Sequence, residues 1–305
     1  MTMLVADVGG TNTRFALASG GSLVPGTLMR IANDDFPAFE AALEAYLAGR
    51  AAPAAMCIAI AGPVTGTAAG ATGRLTNRDW AFESAALAAR TGAAVRLIND
   101  LTALGHALPM LPRESLLPLC LPAPDVPRGV NGQALVLGLG TGVNVCAVRL
   151  EGGQALCLEA EAGHAALPAP VAARVGEPGV FPTVEDLFSG RGLARLHRAR
   201  TGEDIGSDRI VAAAASDPGA AATLDLFARA LGSYARDLAL LFMPREGLYL
   251  AGSVARGVAG AAAAAFVEAF TAEAPFAAIP RSIPVRVIAD DMAALTGCLA
   301  ALQRG

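Results

Sequence analysis

The sequence predicts an α/β protein made of two related halves, each a mixed sheet with helices on its faces. Two observations carry this. A pattern of apolar strand, glycine turn and second strand occurs over residues 4–17 and again over residues 134–150. Each of these hairpins is followed by alternating helical and extended patterns, the arrangement that lays helices against a sheet. Between the halves, residues 108–125 turn rich in Pro and Leu, which marks the boundary region.

The first hairpin places Asp7 at the end of a strand and Gly9 and Gly10 in the bend. Glycines can take positive φ and have no Cβ, so the N–H groups from Gly9 to Asn12 can converge on an anion. Thr11 and Asn12 add side-chain donors. Asp7 would repel a phosphate, yet it suits a hydrated Mg²⁺ that bridges to phosphoryl oxygens. The same residues also suit an ordinary hairpin, because Gly-Gly and Thr-Asn are common in turns.

Residues 22–31 read as a third strand. Asp34-Asp35 ahead of Pro37, with Phe39, Leu43, Tyr46 and Leu47 at helical spacing and Gly49 beyond, predict a capped amphipathic helix. A buried strand follows over residues 55–61, then two extended segments over 65–76, a helix over 82–90 and a strand over 95–98 that runs into Asn99-Asp100. In the second half, helices are expected over 184–200, 210–215 and 221–243, the last ended by Pro244. A strand over 248–251 enters Gly252-Ser253 and a helix continues to residue 270. A strand over 285–288 and a helix over 292–302 complete the chain.

Composition narrows the function. Hydrophobic residues make up 54% of the 305 but aromatics only 5%, so small side chains and close helix packing must supply much of the burial. No apolar run is convincing as the roughly 20-residue span of a bilayer, and the start lacks a basic segment ahead of an apolar one. A cytoplasmic protein is expected, without membrane partners. A net charge of -4 with scattered basic residues argues against nucleic acid. The five cysteines have neither disulfide nor metal-ligand spacing, and buried thiols are expected. All 23 basic residues are arginine. Without lysine there is no Walker A loop, no kinase strand lysine and no Schiff base, so any nucleotide phosphate must be held by amides and metal.

Three further stretches can carry chemistry. Asn99-Asp100 lies where a strand becomes a helix; either residue suits an N-cap, and an Asp pointing into the cleft could accept a hydroxyl proton. Glu161-Ala162-Gly163-His164 sets two polar side chains too close together to be buried without partners, and both suit vicinal hydroxyls. Glu185 reads as an acid early in a helix, favoured there by the dipole.

The ordered set Asp7-x-Gly-Gly-Thr-Asn, Leu97-Ile-Asn-Asp, Gly138-x-Gly-Thr-Gly, Glu161-x-Gly-His, Glu185-x-x-x-Ser-Gly and Leu248-x-Leu-Ala-Gly resembles the bacterial glucokinases. The likeness covers nearly the whole chain and includes residues 75–82. It implies two ribonuclease H-like domains of the actin-like ATPase type, a small one of residues 1–109 plus 289–305 and a large one of residues 110–288, closing on glucose and ATP. By the same resemblance Asp100 is the catalytic base, and Asn99, Glu161, His164 and Glu185 hold sugar hydroxyls. Asp7 positions Mg²⁺ through water, Gly9, Gly10, Thr11 and Asn12 with Gly140, Thr141 and Gly142 clasp phosphates, and Gly252 lies against the nucleoside. A homodimer is implied by the family alone. Departures from its pattern are Asn144 and Ser253, each where the family has glycine, and Ala162 for a second glycine. Another hexose or an amino sugar as substrate, and a sugar-responsive regulator without turnover, are the alternatives.

Overall fold

The computed structural model describes residues 1–67, 70–176 and 179–303. In β1 (Met3–Val8), Leu4, Ala6 and Val8 enter one core and Val5 the opposite one, the alternation of a strand covered on both faces. Its partner β2 (Asn12–Ser19) returns antiparallel, with Val8 opposite Thr13. Two short strands, β3 (Ser22–Leu23) and β4 (Met29–Ala32), pair with β2, where a single strand is expected. The break falls at Pro25-Gly26, where Gly26 has φ 75° and the Thr27 N–H donates to the Val24 carbonyl.

A 3-10 turn over Asn33–Asp35 precedes α1 (Phe39–Leu47). The expected capping is absent: Ala38 is the N-cap, and both aspartates belong to the preceding turn. β5 (Ala55–Ile60) lies parallel to β1. β6 (Val64–Thr65), β7 (Thr72–Arg74) and β8 (Ala81–Glu83) form a separate antiparallel sheet, so Phe82 is strand and α2 (Ser84–Thr91) starts after it. β9 (Ala94–Asn99) is parallel to β5 and continues directly into α3 (Asp100–Ala107).

The second half opens with β10 (Leu116–Cys120), inside the stretch taken as a boundary, followed by β11 (Gln133–Leu139), β12 (Val143–Glu151) and β13 (Gln154–Glu159). Then come α4 (Ala169–Val175), α5 (Val184–Phe188), α6 (Gly190–Thr201), α7 (Ser207–Ala213) and α8 (Pro218–Phe242). The single helix expected over 184–200 is two, because Ser189 ends α5 and caps α6 by accepting from the Gly192 N–H at 3.2 Å. After β14 (Gly247–Ala251), the helix expected to run to residue 270 is also two, α9 (Ser253–Ala261) and α10 (Ala263–Phe270), bent by 94°. Ala262, at φ -140° and ψ 28°, leaves the helical region and makes the bend. α11 (Ala278–Ser282), β15 (Val285–Ile288) and α12 (Ala293–Gln303) end the chain.

Two compact units result: Met1–Leu111 with Gly153–Ala155 and Asp291–Gly305, and Pro112–Gly152 with Leu156–Asp290. The first sheet has the order β3-β2-β1-β5-β9 and the second β10-β15-β14-β11-β12-β13. Within them β2-β1-β5-β9 and β12-β11-β14-β15 repeat one plan, an antiparallel hairpin followed by two parallel strands. In the first unit Leu295, Cys298 and Leu299 of α12 cover Val5 and Cys57, while Phe39, Leu43 and Tyr46 of α1 cover the other face. The Phe15 and Tyr46 rings stack there with centroids 4.9 Å apart. In the second unit Leu135, Leu137 and Leu139 pack with Phe227 and Leu231 of α8 and with Phe188 of α5. All five cysteines are free. No single helix among the described residues is long and apolar enough to cross a membrane.

Candidate active site

In the first unit the parallel strands end side by side. Val8 stands beside Ile60, and Ile60 beside Asn99. The carboxyl edge of such strands is where α/β sheets collect ligands. There the Gly9 N–H donates to the Asn12 carbonyl at 3.0 Å and closes the first turn. Neither Gly9 nor Gly10 has a positive φ, so the expected conformational reason for glycine does not apply. Among the described residues the amides of Gly10 and Thr11 have no hydrogen-bond partner, and both remain available as donors. Thr11 is exposed, and the Asn12 side-chain oxygen accepts from Arg30 Nε at 3.2 Å.

What holds this turn was not among the sequence candidates. Asn33, fully buried, donates from Nδ2 to the Gly9 carbonyl and accepts at Oδ1 from the Thr13 hydroxyl, each at 2.8 Å. Its own N–H donates to the Thr11 carbonyl at 2.9 Å. Arg78 Nε reaches the Gly10 carbonyl at 3.3 Å while its guanidinium pairs with Asp34. The three carbonyls from Gly9 to Thr11 are thus engaged by protein donors, and the unpartnered amides are what the turn offers a ligand.

Asp7 Oδ2 accepts from Arg14 Nη1 at 3.1 Å, and the Asp7 side chain is 16% exposed. Burial pushes its carboxyl above the ordinary value, Arg14 pulls the other way, and the charge of Asp291 adds to the rise. Oδ1 has no partner among the described residues. A carboxylate with one open oxygen and a second carboxylate raising its proton affinity fits a hydrated divalent cation.

At the end of β9, Asn99 takes the cap: Oδ1 accepts from the N–H groups of Leu101 at 2.9 Å and Thr102 at 3.4 Å. Its Nδ2 donates to the Gly62 carbonyl at 3.1 Å. Asp100, half-buried, is the first residue of α3, and its Oδ1 accepts from the Leu101 N–H at 2.9 Å.

In the second unit the Gly140 N–H donates to the Gly142 carbonyl at 3.0 Å, and the Gly140 carbonyl accepts from the Gly190 N–H of α6 at 2.8 Å. Among the described residues the amides of Thr141 and Gly142 lack partners, as in the first turn. A Cβ on Gly140 would find no atom within 4 Å, so this glycine keeps open space. Thr183 caps α5 and fixes Glu185 in its first turn. Glu185 Oε2 accepts from the Val143 N–H at 3.0 Å and Oε1 from Arg191 at 3.3 Å, so this carboxylate braces the turn.

Glu161 and His164 are exposed. They flank a 3-10 turn over Ala162–His164 in which Gly163 is the buried residue. A Cβ there would lie 1.9 Å from the Val143 carbonyl, so only glycine lets this turn rest on β12 with both polar side chains outside. Gly252 has φ 101°, and a Cβ on it would meet the Leu139 carbonyl at 2.2 Å. It therefore seats the start of α9 against the end of β11, and Ser253 is exposed as the first residue of that helix.

A duplicated sheet with an amide turn at the end of each leading strand, and an acid beside the first, defines a protein of the actin-like ATPase fold. A family model described as Glucokinase matches residues 4–305, and the chain belongs to that family. A glucokinase of Saccharophagus degradans is 33% identical over 323 aligned positions, which cover 99% of this chain and 98% of the relative. The crystal structure of a glucokinase from an Antarctic psychrotroph is similar with TM-score 0.83 at 26% identity, covering 100% of this chain and 99% of the other. A ROK family glucokinase from Streptomyces griseus, in complex with glucose and AMPPNP, shares the fold with TM-score 0.69 at 20% identity over the full length of both chains.

Proposed function

We propose that this glucokinase-family chain transfers the γ-phosphoryl group of ATP to the 6-hydroxyl of glucose, with Asp100 as general base. The observation that carries the roles is the shared strand edge in the first unit. The turn after β1 and the start of α3 after β9 are two strand spacings apart, about 10 Å. That leaves room for a phosphoryl group and the hydroxyl it joins. Family membership and the glucose and AMPPNP held by the Streptomyces griseus relative support the choice of substrates.

Asp100 accepts the hydroxyl proton while the sugar oxygen bonds to the γ-phosphorus. The bond from that phosphorus to the β,γ-bridging oxygen breaks, and ADP leaves with the electron pair. The amides of Gly10, Thr11, Thr141 and Gly142 hold phosphate oxygens. Asn99, Glu161, His164 and Glu185 hold sugar hydroxyls, while Gly252 and Ser253 flank the nucleoside. Mg²⁺, held through water by Asp7, would neutralise phosphate charge. Positioning and charge neutralisation are the main demands of phosphoryl transfer, so a chain without lysine has sufficient parts.

The test is product formation with Mg-ATP and, in parallel, glucose, mannose and glucosamine. Glucose is expected to give the highest kcat/KM. A tenfold preference for either of the others would reassign the substrate, and glucose binding without product would indicate a regulator.

A further inference from the structure

One side chain ties the strand after the second glycine turn to the turn that carries Glu161 and His164. Asn144 lies in β12, opposite Gly138 of β11. Its Oδ1 accepts from the N–H groups of Val145 at 2.8 Å and Ala162 at 3.0 Å. Its Nδ2 donates to the Ala160 carbonyl and to Glu161 Oε2, the latter at 3.2 Å. Both lone pairs of the amide oxygen and both N–H groups are therefore engaged, with three of the four bonds on residues 160–162.

The geometry of these bonds needs an amide. A carboxylate of the same length would keep the two acceptor bonds but set a like charge against Glu161. Glycine, usual at this place in the family this sequence resembles, would provide none of the four. The bond to Glu161 holds one carboxylate oxygen and limits the rotamers of an otherwise exposed side chain, which lowers the entropic cost of its contact with a ligand. It leaves the other oxygen, Oε1, for a sugar hydroxyl.

Resting on the reading that Glu161 contacts the sugar, we propose that Asn144 is a positioning residue for the sugar site. It fixes the Glu161 carboxylate and its turn to the phosphate-binding hairpin, and it sets glucose affinity rather than the rate of the chemical step.

Four variants test this: Asn144→Asp, Asn144→Gly, Glu161→Gln and the double Asn144→Asp/Glu161→Gln, each measured for kcat, both KM values and thermal midpoint. Asn144→Asp keeps the acceptor bonds but loses both donor bonds, to the Ala160 carbonyl and to Glu161, so the midpoint should fall by a few degrees while the ATP KM holds and the glucose KM rises about tenfold, the scale of a charge-assisted hydrogen bond lost. Asn144→Gly should raise the glucose KM about three- to tenfold with the ATP KM unchanged. In the double variant the introduced amide can donate to the introduced carboxylate, so the rise in glucose KM caused by Asn144→Asp should be smaller against the Glu161→Gln background, while the loss of the bond to the Ala160 carbonyl remains. If Glu161→Gln raises the glucose KM and both Asn144 variants leave it unchanged, the inference fails and the sugar reading stands. Parallel loss of both affinities and of the thermal midpoint would reduce Asn144 to a structural residue and also overturn it. If Glu161→Gln has no effect on glucose, the sugar reading falls, and this inference with it.

Discussion

Asp7 is held where a carboxylate is costly, and the role proposed for it in holding Mg²⁺ gives a reason to keep it there. Its carboxyl titrates above the ordinary 3.8, with burial as the main cause. The native state therefore takes up this proton more readily than the unfolded chain. Stability from that proton is present below 3.8 and is lost as pH rises through the raised value. At pH 7 the neutral Asp7→Asn should hold or raise the thermal midpoint without metal while turnover falls sharply. A midpoint lowered by several degrees would contradict this. Asn33 acts from behind the turn. Asn33→Ala leaves the Gly9 carbonyl and the Thr13 hydroxyl unpaired, so a loss of about 1–3 kcal/mol is expected together with a raised ATP KM. An unchanged ATP KM would separate Asn33 from the phosphate turn. The sequence makes Asp7, Asn99 and the glycines legible because they sit at strand ends, where pattern and turn chemistry coincide. It cannot reveal Asn33, whose partners lie 20 and 24 residues away.

Among the elements, the two hairpins and α8 are legible in the residues. The leading strands are apolar runs, mostly buried, that end in a glycine turn, and α8 begins at Pro218 behind Asp217, which caps the Ala220 N–H at 2.7 Å. Other elements are hidden by composition. β10 contains Pro118 and pairs with β15 through a register shift beside it, so its sequence reads as a boundary. The bend at Ala262 falls inside an alanine run that reads as continuous helix, with Gly260 just ahead of it to weaken the helix, and beyond it Phe266 and Phe270 pack into the core. The start of α9 depends on Gly252 in the same tertiary sense. Gly252→Ala would force φ 101° on a residue with a Cβ and drive that atom onto the Leu139 carbonyl. At least the roughly 1–3 kcal/mol of backbone strain is expected as a lower denaturant midpoint. A midpoint equal to that of the parent protein would mean that α9 is not anchored by this contact.

For the whole molecule, the plan is one sheet design used twice, and each copy ends its leading hairpin in a turn with two unpartnered amides among the described residues. In the proposed transfer phosphate charge is met by backbone and metal, which would let a chain whose 23 basic residues are all arginine serve as a kinase. The central claim is that Asp100 takes the hydroxyl proton in this transfer. Steady-state formation of glucose 6-phosphate from Mg-ATP, for the parent protein and for Asp100→Asn prepared identically, tests it most directly. The account predicts turnover of about 1–100 s⁻¹ for the parent. It predicts a kcat lower by at least about 10²–10⁴-fold in the variant, with glucose still bound in a titration. An unchanged kcat in Asp100→Asn would contradict it.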